Sequence, residues 1–140
     1  MSKYKNVKVE EDGYKFDSKH EREYYLSLKW LKANNMIKSF ELQPEFVLQD
    51  SFKKNGKTYR KITYKADFKV TDKEGKTEII DIKGFSNPLF ELKRKMFEKK
   101  FPDLSLKVIK YVKKYGGWIT DDEYKRFKRL EKKASKKVGK

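Results

Sequence analysis

Apolar residues recur at Tyr24, Leu28 and Leu31, one face of a 3.6-residue period, and predict a helix from about Ser18 to Asn35. Ser18-Lys19-His20-Glu21 has the spacing of a capping box at its start, and Asn34-Asn35 can end it. Ile37 to Phe52 is rich in β-formers and broken by Pro44. Asn55-Gly56 predicts a two-residue hairpin turn joining a strand near Phe46–Phe52 to one near Thr58–Val70, the latter long enough to require a bend or bulge. A turn at Asp72–Lys76 leads into a strand Thr77–Lys83. After a loop at Gly84–Pro88, the stripe Leu89, Leu92, Met96, Phe97 predicts a helix to Phe101, stopped by Pro102. Leu106–Val112 reads as a buried strand, Tyr115-Gly116-Gly117 as a turn, and Asp121 as the cap of a helix running to about Lys133. Trp30 and Trp118 are read as core, and His20 as a surface residue. The α-β-β-β-α-β order predicts an α/β domain with a mixed central sheet flanked by helices. Residues 1–16 read as a loose arm with a short extended piece at Tyr14–Phe16, 17–133 as one domain, and 134–140 as a basic tail.

The turn fixes a register with chemical consequences. If Lys73-Glu74-Gly75 forms the loop, Asp72 pairs with Lys76, and the same register sets Asp67 opposite Asp81. Side chains alternate faces, so Ala66, Phe68, Ile80 and Ile82 would share an apolar face while Asp67, Asp81 and Lys83 share the other. Two directly opposed carboxylates repel each other, and a divalent cation between them removes the repulsion. Such a cation leaves coordination sites for water, a phosphate oxygen and a backbone carbonyl, with Ile82 as the candidate. Lys83 would orient or deprotonate the attacking water, or stabilise charge on the phosphate. The structural alternative is an exposed sheet face carrying an Asp–Lys ion pair.

Composition narrows the chemistry. There are 37 Lys and Arg against 21 acids, a net charge of +16, which points to a polyanionic partner, nucleic acid above all. Cysteine is absent and His20 is the only histidine, so a metal would be held mainly by oxygen, favouring Mg²⁺ or Mn²⁺. No apolar run is long enough for a membrane span, and the N-terminal residues lack the apolar stretch of a secretory signal; a cytoplasmic protein is expected.

The half-motifs Ala66-Asp67 and Asp81-Ile82-Lys83 resemble the PD-(D/E)XK nuclease superfamily, with Ala66 in place of the motif's proline. The likeness extends over roughly Ser18 to Val112 and implies a restriction-endonuclease-like core. Asp17-Ser18-Lys19-His20-Glu21, Ile37 to Pro44, and Asp81-Ile82-Lys83-Gly84 before a lysine-rich helix are similar to small phage resolvase-like endonucleases. That family carries a Glu-Asp pair where this chain has Ile80-Asp81. TnsA-type endonucleases are similar in placing a helix acid before a Gln-Pro segment. The resemblance implies Glu21 as a third acid of the site, although helix capping accounts for it equally well. It also implies branched or Holliday-junction DNA as substrate, cut by metal-assisted in-line attack of water, and a homodimer in a phage or prophage setting. Ser86, Asn87, Lys93 and Lys95, beside the second half-motif, are candidate DNA-phosphate contacts. The C-terminal lysines are candidate nonspecific backbone contacts, Tyr111 and Tyr115 candidate stacking residues, and Gln43-Pro44 a strand entry near the site. A noncatalytic DNA-binding protein on the same fold, or a nuclease subunit of a transposase-like assembly, are the competing readings.

Overall fold

A computed structural model describes residues 8–82 and 87–138. The chain forms β1 (Val9–Glu11), β2 (Tyr14–Phe16), α1 (Lys19–Ala33), β3 (Ser39–Leu42), β4 (Glu45–Gln49), β5 (Phe52–Lys54) and β6 (Lys57–Tyr59). It continues through β7 (Ile62–Lys65), β8 (Phe68–Thr71), β9 (Thr77–Ile82), α2 (Pro88–Lys100), β10 (Ser105–Val112), β11 (Gly117–Thr120) and α3 (Asp121–Val138). Five strands make the central sheet in the order β11-β10-β9-β8-β3. β9 and β10 are parallel and joined through α2, whereas the other neighbours are antiparallel, so the sheet is mixed. No helix among the described residues is long and apolar enough to cross a membrane.

Ile79 and Ile80 are consecutive and both fully buried because both faces of the sheet are covered. On one face Phe68, Ile80 and Ile109 pack with Tyr25 and Leu28 of α1 and with Phe16 of β2. On the other, Ile79, Leu106 and Val108 pack with Phe97 of α2 and with Leu48 and Tyr64 of the β4–β7 pair. Burying Phe97 completely contributes ~3 kcal/mol, as for any large core side chain. Its ring meets Phe46 at 5.0 Å and Phe101 at 5.1 Å.

The expected register of the β8–β9 hairpin is the observed one: Phe68 pairs with Ile80 and Thr71 with Thr77, closed by Asp72. The carboxylate of Asp72 accepts the N–H groups of Glu74 and Lys76, which stabilises this turn over a slipped one. Asn55 (φ 52°) and Gly56 (φ 72°) make the expected two-residue turn. The long stretch after it does not stay one strand. It breaks at Arg60–Lys61, between β6 and β7, and again at Ala66–Asp67, where the chain leaves its partner β4 and joins β9. Because of that break Ala66 faces the α2-side core with Ile79, not the face of Phe68 and Ile80. The face carrying Asp81 is likewise not open: α2 covers it over Ile79 and Val108, and the acids lie only at the strand ends.

Other expectations are corrected. Residues 9–16 are not a loose arm but a hairpin turned by Asp12-Gly13, both at positive φ. Asp12 accepts from the Tyr25 hydroxyl (2.8 Å) and from Lys29, fastening the hairpin to α1. The expected turn is at Tyr115-Gly116, and Gly117 already belongs to a strand, Gly117–Thr120, against β10. Thr120, not Asp121, caps α3: its hydroxyl accepts the Glu123 N–H, while the Glu123 carboxylate takes the Thr120 N–H, a capping box. α3 runs on to Val138, past the expected end at Lys133. In α2 the buried residue is Phe97, with Phe90 and Met96 beside it, whereas Leu89 (60% exposed) and Leu92 face outward. Trp30 is exposed, unlike Trp118, which packs against Tyr24.

Candidate functional site

Three elements bring one acid each to the end of the sheet where β9 and β10 finish. That is the end at which parallel strands of α/β folds leave a crevice. Ser18 caps α1, accepting the Glu21 N–H at 3.1 Å, and this fixes the first turn so that Glu21 points inward. Only 5% of Glu21 is exposed. The break between β7 and β8 presents Asp67, whose N–H donates to the Ile80 carbonyl and whose Oδ2 accepts the Ile82 N–H at 2.7 Å. Asp81 is the penultimate residue of β9, and the buried Tyr64 hydroxyl donates to its Oδ2.

Asp67 interacts with both Asp81 and Glu21, and Glu21 also with Asp17. Burial, then the charge of Asp81, pushes the Asp67 carboxyl up to about 9. Burial, then the charge of Asp17, pushes Glu21 up to about 7. Burial and the adjacent Asp81 charge also raise the Tyr64 hydroxyl, which keeps it a donor. Glu21 is therefore both part of the helix start and a member of the acid cluster.

Glu21, Asp67, Asp81 and Ile82 line a cleft of about 580 Å³. Its other walls come from α1 (His20), β10 (Lys110, Tyr111) and α3 (Tyr124). The Lys110 ammonium stands 4.0 Å from the centre of the Tyr124 ring, an arrangement that holds a cation at the mouth of an acidic site. His20 lies against Tyr111 (ring centres 5.0 Å) and Trp118 (6.0 Å). A second cavity of about 440 Å³, lined by Asp17, Gln43 and Phe16 among others, meets the first at Glu21 and Asp67. Gln43 (φ 48°) donates its N–H to the Asp67 carbonyl, so the Gln43-Pro44 turn buttresses the break that carries the acid.

The donor set fits a hard divalent cation: carboxylate oxygens at close quarters, two of them with proton affinity raised by burial and by the neighbouring acids. Among the described residues no three His, Asp or Glu side chains are already drawn into a common metal-binding set. Asp67 and Asp81 would be the primary holders, with Glu21 on the far side of Asp67.

Of the residues expected at the site, Glu21, Asp67, Asp81 and Ile82 come together. Lys83 and Ser86 lie outside the described residues. Asn87 caps α2, accepting the Phe90 N–H at 2.8 Å, and Lys93 and Lys95 sit on α2; none of the three lines the cleft. Among the described residues the cation lining the cleft is Lys110. The parallel pairing of Val108 with Asp81 places it there, and no feature local to either strand signals that pairing. Tyr64 was missed too; its sole sequence signal is its place on the strand leading into Asp67.

One family model matches residues 1–117, and that family is described as Protein of unknown function (DUF1064). No curated protein and no solved structure matches the chain.

Proposed function

We propose, from the premise that this chain belongs to the DUF1064 family, that it is a Mg²⁺- or Mn²⁺-dependent endonuclease acting on DNA. The matched span contains Glu21, Asp67 and Asp81. In this reading the core is restriction-endonuclease-like, and branched or junction DNA is the substrate. The observation that carries it is three acids, Glu21, Asp67 and Asp81, lining one cleft, Glu21 buried and the other two partly buried, an arrangement unfavourable to folding unless a cation or protons neutralise it. A divalent cation held there would polarise a phosphate oxygen and make water acidic enough to attack at neutral pH. Asp67 and Asp81 hold it, and Ile82 adds a backbone carbonyl. Tyr64 fixes one Asp81 oxygen and so orients the carboxylate. Lys110 neutralises phosphate at the mouth, and Lys83, next after Ile82, assists the attacking water. The net charge of +16 draws DNA to the protein and makes its binding sensitive to salt. Cutting both strands at a branch requires two such clefts, hence a homodimer.

The test is cleavage of supercoiled plasmid and of a four-way junction with Mg²⁺ or EDTA. Asp67→Asn, Asp81→Asn and Lys83→Ala should abolish cutting while leaving DNA binding in EDTA intact. Undiminished cutting by these variants would overturn the assignment. A parent protein that binds DNA and cuts neither substrate would leave the noncatalytic binding fold as the better reading.

A further inference from the structure

Every residue from Gln49 to Lys61 is exposed, and within this stretch β5 and β6 pair only with each other. A two-stranded ribbon without a core is marginal alone, so its side chains show what it is built to meet. Phe52 and Tyr59 are cross-strand partners, stacked with ring centres 4.8 Å apart at 10°. They are 44% and 41% exposed. Lys54 and Lys57 are the next pair on the same face, directly opposite one another, and Lys57 stands 5.4 Å from the Tyr59 ring centre. Lys53, Arg60 and Lys61 add to the charge, against which the stretch has a single acid, Asp50.

Cross-strand stacking steadies the ribbon, but two lysines facing each other work against it. A negatively charged partner relieves that repulsion. One ring face is used within the pair, and exposure of Phe52 leaves its outer face free to continue the stack. Base on aromatic ring, with ammonium groups beside it, is how single-stranded nucleic acids are held without sequence preference. A lipid surface fits less well, because the ribbon's tip is Lys54-Asn55-Gly56-Lys57 and has no apolar residue to insert.

We propose that the β5–β6 hairpin is a second nucleic-acid contact, stacking an unpaired base on the Phe52–Tyr59 pair and holding the flanking phosphates with Lys54 and Lys57. It requires neither a cation nor cleavage, and so stands independently of the reading of the acidic cleft. The same chain segment leads from Tyr59 through β7 to Asp67, eight residues that span at most ~28 Å. One bound strand can therefore reach both places.

The experiment is fluorescence anisotropy of the full-length protein in EDTA, with a labelled fifteen-nucleotide oligothymidylate, its oligouridylate counterpart and a duplex of equal length. The double variant Phe52→Leu/Tyr59→Leu keeps apolar volume and removes the rings. It should weaken oligothymidylate binding by ~10-fold or more and duplex binding far less, with melting unchanged. Lys54→Gln/Lys57→Gln should lower the slope of log affinity against log salt by ~1.4, two single-strand phosphate contacts. A larger loss with oligouridylate keeps the hairpin as a nucleic-acid contact and assigns it to RNA. Single-strand binding within twofold of the parent in both variants, or equal losses for single strand and duplex in the leucine variant, would overturn the proposal. So would a defect confined to binding of phosphatidylserine vesicles.

Discussion

Asp67→Asn is expected to stabilise the cation-free protein above neutral pH. The native carboxyl holds its proton up to about pH 9, against an ordinary value of 3.8. Between those values the folded state binds nearly one proton more than the unfolded chain. The stabilisation from the protonated group is complete below the ordinary value, and it is lost as pH rises through about 9. Over that window the unfolding free energy falls with pH by at most ~1.4 kcal/mol per unit. Carried to pH 8, this sets an upper bound on the order of 6 kcal/mol; with relaxation around the site and water in the cleft, ~2 kcal/mol is the working figure. Asparagine does not ionise, and its amide oxygen can still accept the Ile82 N–H. At ~3 °C per kcal/mol for a domain of this size, the variant should melt ~6 °C above the parent at pH 8 in EDTA, and the two should converge towards pH 5. Adding Mg²⁺ at ten times its dissociation constant should raise the parent by ~1.4 kcal/mol and the variant much less. Thermal melts from pH 5 to 9, with EDTA or Mg²⁺, read all of this. A variant that melts below the parent at pH 8 in EDTA would refute the electrostatic reasoning.

Tyr64→Phe removes the donor to Asp81 and should weaken cation binding ~10-fold by calorimetry; unchanged affinity would mean the hydroxyl does not position the ligand. Phe97→Ala empties the centre of the α2-side core and should cost ~3–5 kcal/mol in urea unfolding, whereas a loss below ~1 kcal/mol would contradict the packing described. Thr120→Ala should lower stability by ~1 kcal/mol through the lost cap of α3, with no change in cation affinity, and a neutral result would place the helix start elsewhere.

What could be read in advance was what local chemistry dictates. Asp72 and Gly75 define one turn, that turn defines one register, and the register brings Asp67 to the end of β8 beside Asp81. Ser18 and Glu21 likewise announce a helix start. The parts that were not legible depend on distant pairing. Nothing near Lys110 signals that β10 lies parallel to β9, so its place on the cleft cannot be read from the residues around it. Phe90 and Phe97, not Leu89 and Leu92, face the core, because α2 packs against the aromatic side chains of β4 and β7, a contact no helical period reveals. The Asp12-Gly13 hairpin carried the right turn dipeptide, but its strands are only three residues each, too short for an alternating pattern to register.

The most direct test of the acidic cleft is anomalous diffraction from crystals soaked in Mn²⁺. The account predicts a strong peak bonded to carboxylate oxygens of both Asp67 and Asp81 at ~2.1 Å, absent from Asp67→Asn crystals. Well-ordered acids with no peak between them at millimolar Mn²⁺, or a peak bound only elsewhere on the surface, would contradict it.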